Sequence, residues 1–145
     1  MIYWLTGQPG SGKTTLAKAI IKERFFRDWF HIDGDDTREL FDNKDYSKEG
    51  RMKNVLLTQQ LAQYLHYKGK DVIVSLVSPY KEQRELFKEK MGDMLKEVYV
   101  HTSEVRGREN FFVGDYEQPT ENYTDICTDN ILVDECVEII FKKII

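Results

Sequence analysis

Eight residues near the start, Gly7-Gln8-Pro9-Gly10-Ser11-Gly12-Lys13-Thr14, constrain this chain more than any other stretch. They fit the pattern G-x-x-x-x-G-K-[ST] at every fixed position. A short apolar run, Ile2-Tyr3-Trp4-Leu5, precedes them, and across residues 15–24 Leu16, Ala17, Ile20 and Ile21 recur at helical spacing. A strand, a glycine loop and a helix in that order form a phosphate-binding loop. Backbone N–H groups surround phosphate oxygens only where no Cβ intervenes, and Gly7, Gly10 and Gly12 leave that room. The helix N-terminus adds partial positive charge. Lys13 would reach the β- and γ-phosphates as a point charge, and the Thr14 hydroxyl would ligate a bridging magnesium ion. Gly7 through Thr14, with Thr15 after them, are thus the expected binding set for ATP or GTP with Mg2+.

Past the loop, Asp28-Trp29-Phe30-His31-Ile32 reads as a short buried strand that ends in an acidic turn, Asp33-Gly34-Asp35-Asp36-Thr37-Arg38. A polar segment, 43–50, leads to a helix over about 51–67 with Met52, Val55, Leu56, Ala62 and Leu65 on one stripe. Gly69 stops it. Residues 72–77 are nearly all apolar and β-branched, as in a parallel strand covered on both faces, and Ser78-Pro79-Tyr80 ends the run. A charged helix (about 82–91), a fourth strand (97–101), a fifth (124–127) and a closing amphipathic helix (133–145) follow. Between strands four and five, residues 102–123 have no period, and so long an irregular stretch in a compact domain is read as a lid. The alternation predicts one α/β domain over residues 1–145, three layers around a central parallel five-stranded sheet. Ligands in such folds bind beyond the carboxyl ends of the strands. The phosphate loop, Asp33, Ser78 and the irregular segment each follow one of the first four strands and converge there.

Composition narrows the partners. The net charge is −4 with both signs interspersed, so no basic field exists to hold a duplex, and a small-molecule nucleotide is the expected substrate. Cys127 and Cys136 form no C-x-x-C pattern and are read as packing residues. The apolar start stops at Gly7, and no later run approaches ~18 apolar residues, so the expectation is a cytoplasmic protein without a membrane partner. His31, His66 and His101 lack metal-ligand spacing, which leaves magnesium as the expected metal.

The residues after the strand ends suggest chemistry. Many ATP-hydrolysing proteins of this fold carry a magnesium-binding aspartate at the end of a central apolar strand, where this chain has Leu76-Val77-Ser78. Asp33, with Asp35, is the carboxylate placed to face the γ-phosphate. It would hold magnesium through water and accept a proton from a hydroxyl, as in a kinase. The alternative reading of the turn, a solvated cap on the next helix, applies to Asp33 and more strongly to Asp36. Arg38, Arg51 and Arg84 are candidates for an anionic second substrate, because a planar guanidinium holds phosphate or sulfate by paired hydrogen bonds. Tyr46, Phe111 and Phe112 either stack on a base or fill a small satellite core.

Residues 7–17, Asp33-Gly34-Asp35 with Arg38, Tyr46-Ser47 with Arg51 and Asn54, and Val77-Ser78-Pro79-Tyr80 with Arg84 resemble the adenylylsulfate kinases in order and spacing. The later run Phe112-Val113-Gly114-Asp115-Tyr116-Glu117-Gln118-Pro119 resembles a shortened form of that family's Phe-Thr-Gly and Pro-Tyr-Glu segment. The resemblance implies a P-loop kinase fold and transfer of phosphate from ATP to the ribose 3′-hydroxyl of adenylyl sulfate. It implies Asp33 as base, Arg38, Arg51 and Asn54 on the phosphosulfate side, and Tyr46 and Phe112 flanking the adenine, with Asp35 and Val77 beside them. Ser78 matches a serine traditionally described as a phosphorylated intermediate, although a loose in-line transfer needs no covalent step. The chain departs from the family in a shorter segment after strand four, with no counterpart to the lid lysine. It also has Gly50 in place of an acid, and Gln8-Pro9 in place of Leu-Ser. A kinase of another nucleotide-like or nucleic-acid hydroxyl, and a nucleotide-binding module without turnover, remain as alternatives, and a homodimer is left open.

Overall fold

The apolar run at the start has no polar face because the strand it forms, β1 (Ile2–Thr6), is buried on both sides. Tyr3 and Leu5 enter one core and Ile2 and Trp4 the other, the alternation that a pleated strand imposes. The computed structural model describes residues 1–23 and 28–145. Among these residues the order continues as α1 (Lys13–Glu23), β2 (Trp29–Asp33), α2 (Gly34–Leu40), α3 (Lys48–Tyr67), β3 (Asp71–Ser75), α4 (Lys81–Met91), β4 (Leu95–His101), β5 (Tyr123–Cys127) and α5 (Val133–Ile144). The strands form one parallel sheet in the order β2-β3-β1-β4-β5.

Helices cover both faces, giving the three layers expected. Leu16, Ala17 and Ile20 of α1 and Cys136, Val137 and Ile140 of α5 pack on Tyr3, Leu5, Val98 and Val100. On the other side Val55 and Ala62 of α3 and Phe87 and Met91 of α4 meet Ile2, Trp4, Val72 and Val74. No described helix is long and apolar enough to cross a membrane.

Several local expectations change. The acidic turn is the first turn of α2, with Asp33 as its N-cap: the Asp35 N–H donates to Asp33 Oδ2 at 3.3 Å. The long helix starts at Lys48, because Ser47 Oγ caps it by accepting from the Gly50 N–H, so the polar segment is three residues shorter than read. On its stripe Val55 and Ala62 are buried, but Met52 and Leu56 face solvent. β3 stops at Ser75 rather than residue 77, since the next carbonyls turn to side-chain donors: Thr6 Oγ1 donates to Val77 O at 2.7 Å and Arg84 Nη1 to Ser78 O at 2.6 Å. Cys136 is a packing residue, whereas Cys127 is exposed, because it lies on the solvent side of the edge strand β5. The expected end of the first helix, Arg24, lies outside the described residues.

Candidate active site

The parallel strands bring their carboxyl ends to one edge. At the end of β1 the loop turns so tightly that a Cβ on Gly7 would stand 2.0 Å from Val100 O, and its φ of +154° lies in the range glycine favours. Lys13, 8 % exposed, donates from Nζ to Gln8 O at 2.9 Å. Burial lowers its pKa to about 8, an effect that Asp33 opposes and Arg108 reinforces. The ammonium is thus held where a polyphosphate would repay its lost hydration.

Asp33 closes β2 beside this loop. Its Oδ1 accepts from Thr14 Oγ1 at 2.7 Å and from Ser75 Oγ at 2.6 Å, and Ser75 Oγ in turn contacts His31 Nε2 at 2.6 Å. The β2–β3 register, which sets Asp33 opposite Ser75, builds this row. Burial alone would raise the Asp33 pKa, but the donors Ser75, Thr14 and the Asp35 N–H outweigh it and hold the carboxyl below its ordinary value. A carboxylate and two hydroxyls beside a phosphate cradle are oxygen donors only, which fits a hard divalent cation such as Mg2+ shared with the phosphates.

The acceptor candidates cluster nearby. Arg38 lies 4.2 Å over the Tyr46 ring and donates from Nη1 to Asn43 Oδ1 at 2.9 Å and Asp45 O at 2.6 Å. Burial lowers the Arg38 pKa and the like charge of Arg51 adds to it, with Tyr46, Asp45 and Asp35 opposing. Arg51 Nη1 is 3.7 Å from Asp115 Oδ1, which joins α3 to the late segment. Asn54 is 2 % exposed and Ser78 1 %, and Asn54 Oδ1 and Ser78 Oγ are buried with no hydrogen-bond partner among the described residues. Asp35, Tyr46 and Phe112 are exposed at this edge, with Val77 partly buried. Phe111 is 65 % exposed, so neither phenylalanine fills a satellite core.

Arg84 is no anion ligand. It is buried, paired with Glu97 at 2.8 Å, and it donates to the carbonyls of Ser78 and Glu117. Lys88 also reaches Glu97, and Glu85 lies 2.7 Å from the same ammonium, so two carboxylates balance the two cations.

The irregular segment after β4 rests on the phosphate loop. Arg106 Nη1 donates to Gly10 O and Ser11 O, both at 3.2 Å, and Nη2 donates to Thr128 O at 3.0 Å and Glu104 Oε2 at 2.9 Å. Thr128 Oγ1 adds a bond to Ser11 O at 2.9 Å. Because a planar peptide points C=O and N–H in opposite directions, pinning these carbonyls outward commits the amides to the opposite side. The Arg108 stem would lie 3.0 Å from a Cβ on Gly10, so only a glycine lets the segment sit this close. Farther on, Tyr116 Oη meets Thr6 Oγ1 at 2.9 Å, and the Glu117 N–H donates to Pro79 O at 2.8 Å.

With the site assembled, comparison with known proteins is direct. Residues 1–121 match the family model for adenylylsulphate kinase. The chain belongs to that family. A probable adenylyl-sulfate kinase from Pyrococcus abyssi is 32 % identical, over 97 % of this chain and 92 % of that protein. A cytidine diphosphoramidate kinase from Campylobacter jejuni is 35 % identical over 56 % of this chain and 49 % of its own length. The solved APS kinase of Mycobacterium tuberculosis, in complex with AMPPNP and APS, superposes with a TM-score of 0.80 at 23 % identity, over 97 % of this chain and 95 % of that one, which establishes the P-loop kinase fold.

For a member of the adenylylsulphate kinase family, sequence reasoning missed Ser75, His31, Thr6, Arg106, Arg108 and Thr128. Ser75 and His31 needed the strand register. The strand-end position of Thr6 and Thr128 was the signal that could have found them, and for Arg106 and Arg108 it was two arginines in an otherwise acidic and polar stretch.

Proposed function

We propose that the chain transfers the γ-phosphoryl group of ATP to the ribose 3′-hydroxyl of adenylyl sulfate, giving 3′-phosphoadenylyl sulfate and ADP. The observation that carries this reading is the Asp33 carboxylate, 2.7 Å from the phosphate-loop hydroxyl of Thr14 and kept ionised by three donors. In the transfer a bond forms from the acceptor oxygen to Pγ, the bond from Pγ to the departing ADP oxygen breaks, and the acceptor proton passes to Asp33. Lys13 stabilises the charge on the transferring group, as preorganised cations do. Mg2+, held by Thr14 and by Asp33 through water, would supply further charge neutralisation on the phosphates. Arg38 and Arg51, which feel each other's charge, together with the buried Asn54 support an anionic acceptor, and Tyr46 and Phe112 offer exposed rings to its base, with Asp35 and Val77 in the same set. Ser78 shapes this pocket, and the in-line step needs no phosphoserine.

A second acceptor class is favoured by the Campylobacter relative together with the short segment after β4, namely a cytidine diphosphate analogue. The test is a competition assay with ATP, Mg2+ and equal adenylyl sulfate and cytidine diphosphoramidate. The expected result is 3′-phosphoadenylyl sulfate as the main product, and phosphorylation of the cytidine compound alone would replace the first reading with the second. A cytoplasmic homodimer belongs to the same proposal, and sedimentation velocity checks its stoichiometry.

A further inference from the structure

The second residue of the phosphate loop makes contacts that phosphate binding does not require. Gln8 Nε2 donates to Val113 O at 2.8 Å and the Val113 N–H donates to Gln8 Oε1 at 2.9 Å, so one side-chain amide pairs with a backbone residue 105 positions away as two strands pair. The carbonyl of the same Gln8 accepts from Lys13 Nζ at 2.9 Å and from the Ser11 N–H at 3.2 Å. Val113 is itself buried, and its carbonyl also takes the Tyr116 N–H at 3.2 Å. It stands between Phe112, on the acceptor side, and Asp115, which faces Arg51. Gln8 therefore joins the ammonium that serves the phosphates to the strip of chain that serves the acceptor.

We propose that Gln8 is a positioning residue that couples the two substrate sites, making ATP and the acceptor bind with positive cooperativity. Phosphates draw Lys13 away from the Gln8 carbonyl. The released peptide is then free to reseat, and the paired amide carries that shift to Val113 and so to Phe112 and Asp115. Coupling of this kind is reciprocal, so the acceptor must tighten ATP by the factor by which ATP tightens the acceptor. The inference deepens the acceptor reading above and rests on it for the identity of that ligand.

The test is calorimetric titration of adenylyl sulfate with and without a non-hydrolysable ATP analogue and Mg2+, in the native protein, Gln8→Met and Gln8→Glu. Methionine keeps the length and removes both bonds, and glutamate keeps only the acceptor. The native protein is expected to show a coupling factor of at least ~5, Gln8→Met one below ~2, and Gln8→Glu a value between them. Equal factors in the native protein and Gln8→Met overturn the proposal, as does a native factor of one. Hydrogen exchange at the Val113 amide needs no acceptor: it should respond to the analogue in the native protein and exchange fast in both states of Gln8→Met. If the native protein binds no adenylyl sulfate but Val113 still responds to the analogue only when Gln8 is present, the acceptor reading fails and the coupling stands. A Val113 response that is the same with and without Gln8 ends the proposal.

Discussion

The phosphate loop closes through contacts within a handful of residues, whereas the segment over it is held by side-chain bonds between residues 95 to 110 positions apart. The loop owes its shape to glycine geometry and to its own backbone. The segment has no helix or strand of its own beyond a single turn at Glu109–Phe111 and borrows order from Arg106, Gln8 and Tyr116. Closing a long chain onto a distant partner costs entropy that grows slowly with length, so a few well-made bonds suffice to hold it. The difference is one of kind. The loop's function can be removed with its fold intact, while the segment's fold and function should fail together and by degrees.

The sharpest break is expected on the loop side. Asp33→Asn keeps the shape and the cap but removes the base, and kcat should fall ~10²–10⁴-fold with nucleotide binding preserved. Asp36→Asn, at the third residue of α2, should do little. Equal losses at both positions would make the aspartates structural. Because the folded pKa of Asp33 is depressed, its contribution to stability is present above the unfolded value and is lost as pH falls through the folded one, so acid should destabilise the native protein more than Asp33→Asn.

Lys13→Met should cost at least ~100-fold in turnover through the lost charge on the transferring group. It should also stabilise the nucleotide-free protein. The folded value of Lys13, about 8, lies below its ordinary 10.5, so between those limits the unfolded chain holds a proton that the folded chain lacks, and stability rises with pH. Below pH 8 the full penalty, on the order of 3 kcal/mol, weighs on the fold. Thermal melts should show Lys13→Met above the native protein at pH 7, with the gap closing by pH 10. A lower melting point at pH 7 would mean that the ammonium serves the loop more than it strains it.

On the segment side the losses should be smaller and shared between binding and stability. Arg106→Ala removes charged donors from the Gly10, Ser11 and Thr128 carbonyls. Hydrogen bonds to a charged group contribute roughly 1.5–3 kcal/mol, and solvent at this exposed side chain keeps the effect near the lower end, about a tenfold loss of ATP affinity. A titration showing native affinity would separate the segment from the loop and undo the contrast.

The same contrast explains what could be read from sequence. The loop was legible because all its defining residues are adjacent, and the sheet because Ile2 to Leu5 and, apart from Ser75, Val72 to Val77 are apolar without alternation. Asp33 was legible as a carboxylate at a strand end beside the phosphate loop, whereas α2, the helix it caps, was not, since a short polar helix without an apolar stripe gives no periodic signal. Arg84 was misread because a lone arginine on a charged helix looks solvent-facing until Glu97, buried on β4, is known to be its partner. Arg106 and Gln8 were invisible as partners for the loop and the late segment, because nothing local encodes a contact across a hundred residues.

Tyr116 gives the finest probe of that long-range wall. Thr6 Oγ1 has one proton and commits it to Val77 O at 2.7 Å, so in the 2.9 Å contact the phenol is the donor and Thr6 the acceptor. Burial pushes the Tyr116 pKa up to about 12, with the Arg84 charge opposing, so the donor stays protonated in alkaline buffers that ionise an ordinary tyrosine. Tyr116→Phe keeps the ring and deletes this one neutral bond, which contributes roughly 0.5–1.5 kcal/mol. Thr6 keeps its bond to Val77, so the end of β1 and the phosphate loop should hold their shape while residues 113–117 loosen. The expected signature is a rise of about threefold in KM for the acceptor, the size of a bond at the lower end of that range. The KM for ATP should move less, and the variant-to-native ratio of the acceptor KM should stay constant from pH 7 to pH 10. A larger effect on ATP than on the acceptor would place Tyr116 with the phosphate loop rather than with the segment that faces it.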